Sequence, residues 1–446
     1  MKTFAINTLG CKVNQYESQQ IRQLLEDFSL KKASDDQNPD LLIVNTCCVT
    51  HIASAKSRQC IRKVQKSNPD SIVVVAGCLP AGPSAELGEL NGNIHIINDK
   101  KDLLKDLKTI LTANLIDSNA LENKDLHSKD DPDSMPALTR YADQTRAFLK
   151  VQDGCDGYCT YCIVPKIRQE IHNKPLEKII QEAHHLAYAG HKEIVLTGIF
   201  LGAYGQSTVR RKKWDINKTD SLAKMLNAVA QIDGLERIRL SSLEPADVTD
   251  GLLDVMAERP NIMPHLHLPL QSGSAEILRK MARQYSADDF RATIERVNAR
   301  LDHPAIMTDI IVGFPTETEE DFQQTIKMAE FAQFAKMHVF SYSERKDTAA
   351  VNLKPKVPAP VIKDRSKQLR HLDAELGRKF RTSFAGQTVS AVIESTEPCK
   401  GRSERYFMVH FDASPSSSST STPPKNCKKG QIVSGTLLEN GINARF

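Results

Sequence analysis

The 446-residue chain carries 59 Lys+Arg against 55 Asp+Glu, a net charge of +4, and ten cysteines. That length exceeds one ordinary core, at roughly 100 to 200 residues per domain, and favours a multidomain globular protein. The small net charge gives no argument for a polyanionic partner, and the cysteines are too sparse for a secreted disulfide scaffold, so reduced thiols or metal ligands in a cytosol are expected.

The first segment, residues 1–135, alternates short apolar runs with amphipathic stretches: "TFAINTLGC", a helical "YESQQIRQLLEDF", "LLIVNTCCVT", a helical "ASAKSRQCIRKVQK", "SIVVVAGC", "NIHIIN" and "KDLLKDLKTILT". This rhythm predicts a parallel sheet covered on both faces. Three runs end in a cysteine, Cys11, Cys47 and Cys78. Strand ends of an open α/β sheet share one crevice, so these thiols are candidates for a single three-thiolate site. The competing reading is three small buried hydrophobes. The few residues before Cys11 hold no signal-peptide core, and no run approaches the ~20 apolar residues of a membrane span, so a cytoplasmic protein without membrane attachment is expected.

Residues 117–140 turn polar and read as a linker. The second segment, 141–370, repeats strand then helix, with strands at "RAFLKVQDG", "EIVLTGIF", "RIRLSSLEP", "HLHLPLQSG", "IMTDIIVGFP" and "KMHVFSYS". Six such units suggest a partial (β/α)6 barrel whose working end is the C-terminal mouth of the strands. Gly198, Glu244, Gln271, Ser272, Gly273 and Asp309 lie at those strand ends. Turn chemistry suffices for Ser272 and Gly273, but a charge such as Glu244 or Asp309 near a barrel interior needs a partner. A basic run, "VRRKKW" at 209–214, reads first as a solvated face and second as a track for a nucleic-acid backbone.

The third segment, 380–446, is short and β-like: "QTVSAVIES", "YFMVHF", "GQIVSGTLLEN" and "NARF", with a Ser/Thr/Pro tract at 414–426 expected to form a flexible loop. Small five-strand barrels of this size often bind single-stranded RNA, though a packing module fits the composition equally.

The densest chemical signal is "GCDGYCTYC" at 154–162, with Cys155, Cys159 and Cys162 spaced C-x3-C-x2-C. A zinc site would want a fourth Cys or His at matched spacing, and His172 lies ten residues on. A thioredoxin-like pair would use two of the three thiols. An iron–sulfur cluster on three thiolates leaves one iron without a protein ligand, which is useful if that iron binds something else.

With Tyr161 before the last cysteine, the stretch resembles the signature of the radical S-adenosylmethionine enzymes. Together with "NTLGCKVNQYES", "VNTCCVT", "VVVAGC", "LTGIFLGAYG", "SSLEP", "HLPLQSGS" and "TDIIVGFPTETEEDF", the whole chain resembles the methylthiotransferases of that superfamily. The opening "TLGCKVNQYES" is most similar to the bacterial branch that modifies N6-threonylcarbamoyladenosine 37 of tRNA. Two other branches act on N6-isopentenyladenosine 37 or on a ribosomal-protein aspartate, and a non-catalytic RNA-binding protein with structural metal sites is the alternative from another class.

The resemblance implies a cluster domain at 1–135, a radical barrel at 141–370 and an RNA-binding TRAM domain at 380–446. It implies two [4Fe-4S] clusters, one on Cys155, Cys159 and Cys162 and an auxiliary one on Cys11, Cys47 and Cys78, with Cys48 an ordinary buried thiol. It also implies S-adenosyl-L-methionine, for which Tyr161, Gly198, Glu244, Gln271 and Asp309 are the candidate contacts, and no protein acid or base. In this scheme S-adenosylmethionine serves once as methyl donor and once as source of a 5′-deoxyadenosyl radical. The implied partners are a tRNA anticodon stem-loop, an electron donor such as flavodoxin or ferredoxin, and a sulfur source of unknown identity. Cys60, Cys399 and Cys427 match no motif and are expected to be free thiols. Thr316 stands where many relatives have glycine, a departure expected to affect a loop rather than chemistry.

Overall fold

The apolar runs near the N-terminus become parallel strands, as runs buried on both faces do. The computed structural model describes residues 2–34, 36–82, 87, 93–99, 102–115, 135–412 and 427–445. They fall into two units. The first comprises 1–142, 162–169 and 343–351, and the second holds the remainder.

In the first unit, β1 (Thr3–Thr8), β2 (Lys31–Lys32), β3 (Leu41–Thr46), β4 (Ile72–Gly77) and β5 (Ile94–Ile96) form one parallel sheet in the order β2-β1-β3-β4-β5. Its helices are α1 (Lys12–Asp27), α2 (His51–Ser67) and α3 (Leu103–Asn114). Successive strand residues point to opposite faces. Ile43 and Val74 therefore join Leu24, Leu25 and Leu107 in one core, while Val44 and Val75 join Ile61 and Val64 in the other. Residues 117–134 of the expected linker lie outside the described residues, but its tail packs. Gln20 and Gln23 of α1 donate to the carbonyls of Pro136 (2.8 Å) and Ala137 (2.9 Å), and Leu138 is buried.

The second unit contains the six expected strands, β6 (Arg146–Asp153), β8 (Glu193–Gly198), β9 (Arg237–Leu240), β10 (His265–His267), β11 (Ala305–Val312) and β12 (Lys336–Ser341), plus a short antiparallel β7 (His172–Asn173) on the edge of β6. They form two sheets, β7-β6-β8-β9 and β10-β11-β12, bridged where Ile238 meets Ile262 in parallel register. After a long helix, Ala359–Thr382, comes a closed barrel of β13 (Thr388–Thr396), β14 (Cys399–Ser403), β15 (Met408–Asp412), β16 (Ile432–Leu437) and β17 (Asn443–Arg445). Its strand β14, "CKGRS", had not been expected, because its polar residues and Gly401 give no apolar alternation.

This barrel seats on the starting ends of the parallel strands. Arg239 is fully buried, pairs with Glu193 at 2.9 Å, and donates to the carbonyls of Ser403 (2.6 Å) and Glu404 (2.9 Å). Arg237 donates to Arg402 O and to Ser390 Oγ, Arg146 pairs with Glu394, and His265 stacks on Tyr406 at 4.4 Å. Arg146, Glu193, Arg237 and His265 are the first residues of their strands, and Arg239 follows Arg237 on the same face of β9.

Two of the thiols expected to be free are not. Cys399 and Cys427 form a disulfide across 28 residues of sequence, within the barrel's own core. Closure of the barrel returns the chain to the start of β14 after the 414–426 tract, which lies outside the described residues. Cys60 is a free, half-buried thiol. None of the described helices is long and apolar enough to cross a membrane.

Candidate functional site

Cys11 precedes α1, Cys47 follows β3 and Cys78 follows β4, and β1, β3 and β4 are neighbours in the sheet. Their ends therefore converge. Gly10 sits at φ +109°, and a Cβ there would fall 2.9 Å from Cβ of Cys47, so only glycine lets the two turns approach this closely. Burial pushes the Cys47 thiol up to about 11, with Cys78 and Cys11 adding to the shift.

Buried Asn14 spans the group. Its amide donates to the carbonyls of Leu9 (2.9 Å) and Thr46 (2.8 Å), and its Oδ1 lies 3.7 Å from Cys11 Sγ and 3.9 Å from Cys78 Sγ. Arg168, paired with Glu17 at 3.0 Å, brings its guanidinium 3.7 Å from Cys78 Sγ. Cys48 instead donates from Sγ to the Cys78 carbonyl (3.0 Å) and packs beside Leu42, Val44 and Ile61. Three thiols converging beside a fixed cation are a donor set that suits a thiophilic metal centre, whose binding displaces the protons.

In the second unit, Cys155 and Cys159 lie in the loop after β6. The loop is released by Gly154 at φ +82°, where a Cβ would collide with the Glu170 carbonyl. Gln152 straps it from below, donating to the Gly154 carbonyl (2.9 Å) and accepting from the Phe200 N–H (2.7 Å). Burial pushes the Cys155 thiol up to about 12, with Cys159 adding to the shift, while the Gly157 N–H, 3.4 Å from Cys155 Sγ, opposes it. Arg283 donates from Nη1 to Cys159 Sγ (3.1 Å) and Tyr161 OH (3.3 Å), and from Nη2 to Glu244 (2.6 Å). Donors aimed at sulfur suit metal-bound thiolates. Cys162 is half-buried.

Glu244 has the partner its position demands, twice over: Arg283 on one oxygen and Arg211 on the other at 3.1 Å. Arg211 also pairs with Asp247 at 2.8 Å. Burial raises the Asp247 carboxyl to about 6, against the pull of Arg211. The 209–214 run is consequently not a simple solvated face. Arg211 turns inward to two carboxylates and Arg210 pairs with Asp156 at 3.2 Å, leaving Lys212 and Lys213 exposed. The inward turn has a cause: Glu244 and Asp247 are buried anions needing a counter-charge.

Of the remaining expected contacts, the structure brings Gln271 and Asp309 together. Tyr161 meets Phe314 edge-on at 6.5 Å. Gly198 ends β8 against Gln152. Gln271 adopts φ +63° and donates from its backbone to the Asp309 carbonyl (2.8 Å). Asp309 directs its carboxylate at His267, 3.1 Å away. Ser272 and Gly273 are held by Thr325. Sequence reasoning missed Asn14, Arg168, Arg211, Arg283 and His267. None carries a spacing signal, and only the unmet charge of Glu244 pointed to an arginine.

Two family models match the chain: the uncharacterized protein family UPF0004 over residues 3–98 and the radical SAM superfamily over 149–329. Among curated proteins, it is 34% identical to the threonylcarbamoyladenosine tRNA methylthiotransferase MtaB of Bacillus subtilis, over 92% of this chain and 88% of that protein. It is 32% identical to the tRNA-2-methylthio-N(6)-dimethylallyladenosine synthase of Thermobifida fusca, over 92% and 83%. Among solved structures, it resembles the radical S-adenosylmethionine methyltransferase TsrM of Kitasatospora setae, with TM-score 0.52 and 14% identity over 78% of this chain and 76% of that one, a likeness of fold.

Proposed function

The chain belongs to the radical S-adenosylmethionine methylthiotransferase family, and from that premise we propose that it adds a methylthio group to C2 of N6-threonylcarbamoyladenosine 37 in tRNA. The observation that carries this reading is the near-complete coverage of a relative of that name at 34% identity. Cys155, Cys159 and Cys162 would hold the radical cluster, with Gly157 and Arg283 donating to sulfur. Cys11, Cys47 and Cys78 would hold a second cluster, the site of sulfur delivery, with Asn14 and Arg168 beside it.

When bound, the radical cluster and S-adenosylmethionine supply the carbon radical that a strong aromatic C–H bond requires. The chain's own side chains position it. Arg283 fixes Cys159 and Tyr161 against Glu244, and Gln152 ties the cysteine loop to the end of β8. Tyr161, Gly198, Glu244 and Gln271 remain the proposed surroundings of S-adenosylmethionine, whereas Asp309 is engaged with His267. The partners are a tRNA anticodon stem-loop and an electron donor.

The test is nucleoside mass spectrometry of tRNA from a strain lacking the chain. Loss of 2-methylthio from threonylcarbamoyladenosine is expected. Loss from isopentenyladenosine instead would move the chain to the branch of its Thermobifida relative.

A further inference from the structure

In the sheet β10-β11-β12, His338 lies directly opposite Asp309, and His267 lies opposite Met307. Met307 and Asp309 are two residues apart and share a face, so all three polar side chains project from the same side of the sheet. His267 Nε2 approaches Asp309 Oδ2 to 3.1 Å, and the rings of His267 and His338 stack at 5.8 Å, 21° from parallel. One nitrogen or carboxylate oxygen from each residue lies within 4.8 Å of the other two.

A plain His–Asp hydrogen bond does not account for this group. His267 Nε2 is buried and has no hydrogen-bond partner among the described residues, although the Asp309 carboxylate stands 3.1 Å away. A lone pair or proton left unsatisfied in a buried position is costly unless something else meets it.

We propose that His267, Asp309 and His338 bind one divalent transition-metal ion. Metal–nitrogen and metal–oxygen bonds of about 2.0–2.2 Å set tetrahedral ligand atoms roughly 3.3 Å apart. His267 and Asp309 already stand at that separation, and His338 reaches it by a side-chain movement on the more exposed rim. Two imidazoles and one carboxylate suit zinc or ferrous ion, whereas calcium and magnesium prefer all-oxygen sets. Three protein ligands also leave one position open to an oxygen or nitrogen donor from outside the chain. The group uses none of the residues of either cysteine group.

The probe is zinc alone, offered to protein whose cysteines are already occupied by anaerobically reconstituted clusters. After exposure to one equivalent of zinc and gel filtration, elemental analysis should find roughly one zinc per chain beside iron near eight, as two four-iron clusters require. His267→Gln and Asp309→Asn should each weaken zinc retention at least tenfold with iron content and melting temperature unchanged. His338→Gln, on the most exposed of the three positions, provides the same comparison with the least disturbance of packing. Failure of the wild type to retain zinc, or equal retention by all three variants, would overturn the proposal.

Discussion

At the scale of single residues, Thr316 shows how a departure from the family pattern is accommodated. Its φ is +74°, a left-handed conformation rare for a β-branched side chain. The strain, about 1–3 kcal/mol, is opposed by a hydrogen bond from Lys280 Nζ to its Oγ1 at 2.8 Å, for which about 1 kcal/mol is typical. Glycine would remove the strain, lose that bond and add about 0.5–1 kcal/mol of chain entropy. Thr316→Gly should therefore lie within about 1 kcal/mol of the wild type, whereas Thr316→Val, which keeps the strain and loses the hydroxyl, should cost about 1 kcal/mol more. Chemical unfolding of the two variants side by side checks the order. The sequence marked Thr316 as a loop position, as it marked Glu244 as a charge in need of company. It could not supply the partners, because Lys280, Arg211 and Arg283 arrive from other segments. The His267, Asp309 and His338 group became visible only through strand register.

At the scale of elements, the strands were legible wherever burial is two-sided, as in "LLIVNT" and "SIVVVAG". Burial that comes from another module is not written in a strand's own residues. "RIRL" reads as a strand, and nothing in it shows that Arg239 is fully enclosed, which it is because the C-terminal barrel covers it. There Glu193 meets Arg239 at 2.9 Å, Arg146 at 3.6 Å and Arg237 at 3.9 Å, and burial holds the Arg237 guanidinium down at about 10. Removing one partner of a buried pair leaves the other uncompensated, at about 3–5 kcal/mol. Arg239→Ala should thus lower the unfolding free energy by that amount. Replacing Glu193 by Leu as well should recover none of it, because Arg146 and Arg237 lose the carboxylate they share, and an Arg239→Ala protein as stable as wild type would show that the pair is idle. The Cys399–Cys427 bond escaped sequence reading for a related reason: barrel closure joins residues that have no common motif.

At the scale of the whole molecule, the C-terminal barrel behaves as part of the second unit's foundation. Its backbone carbonyls at Arg402, Ser403 and Glu404 satisfy guanidiniums rooted in β9. A chain ended at residue 386 would leave those donors and Glu193 facing water from one side and apolar packing from the other. Such a chain should lose cooperative melting well below the full-length temperature. A melting curve within a few degrees of the intact protein would show the barrel to be a detachable module. Parallel strands also give the sheet two unlike ends, with anchorage at their starts and the cysteine loop at the finish of β6. The eight residues of β6 measure about 26 Å at 3.3 Å per residue. If the barrel grips the RNA, that strand acts as a ruler: a nucleotide reaches the cysteine loop only when it lies about one strand's length from the gripped backbone, so selection among adenosines becomes a matter of distance as well as of shape.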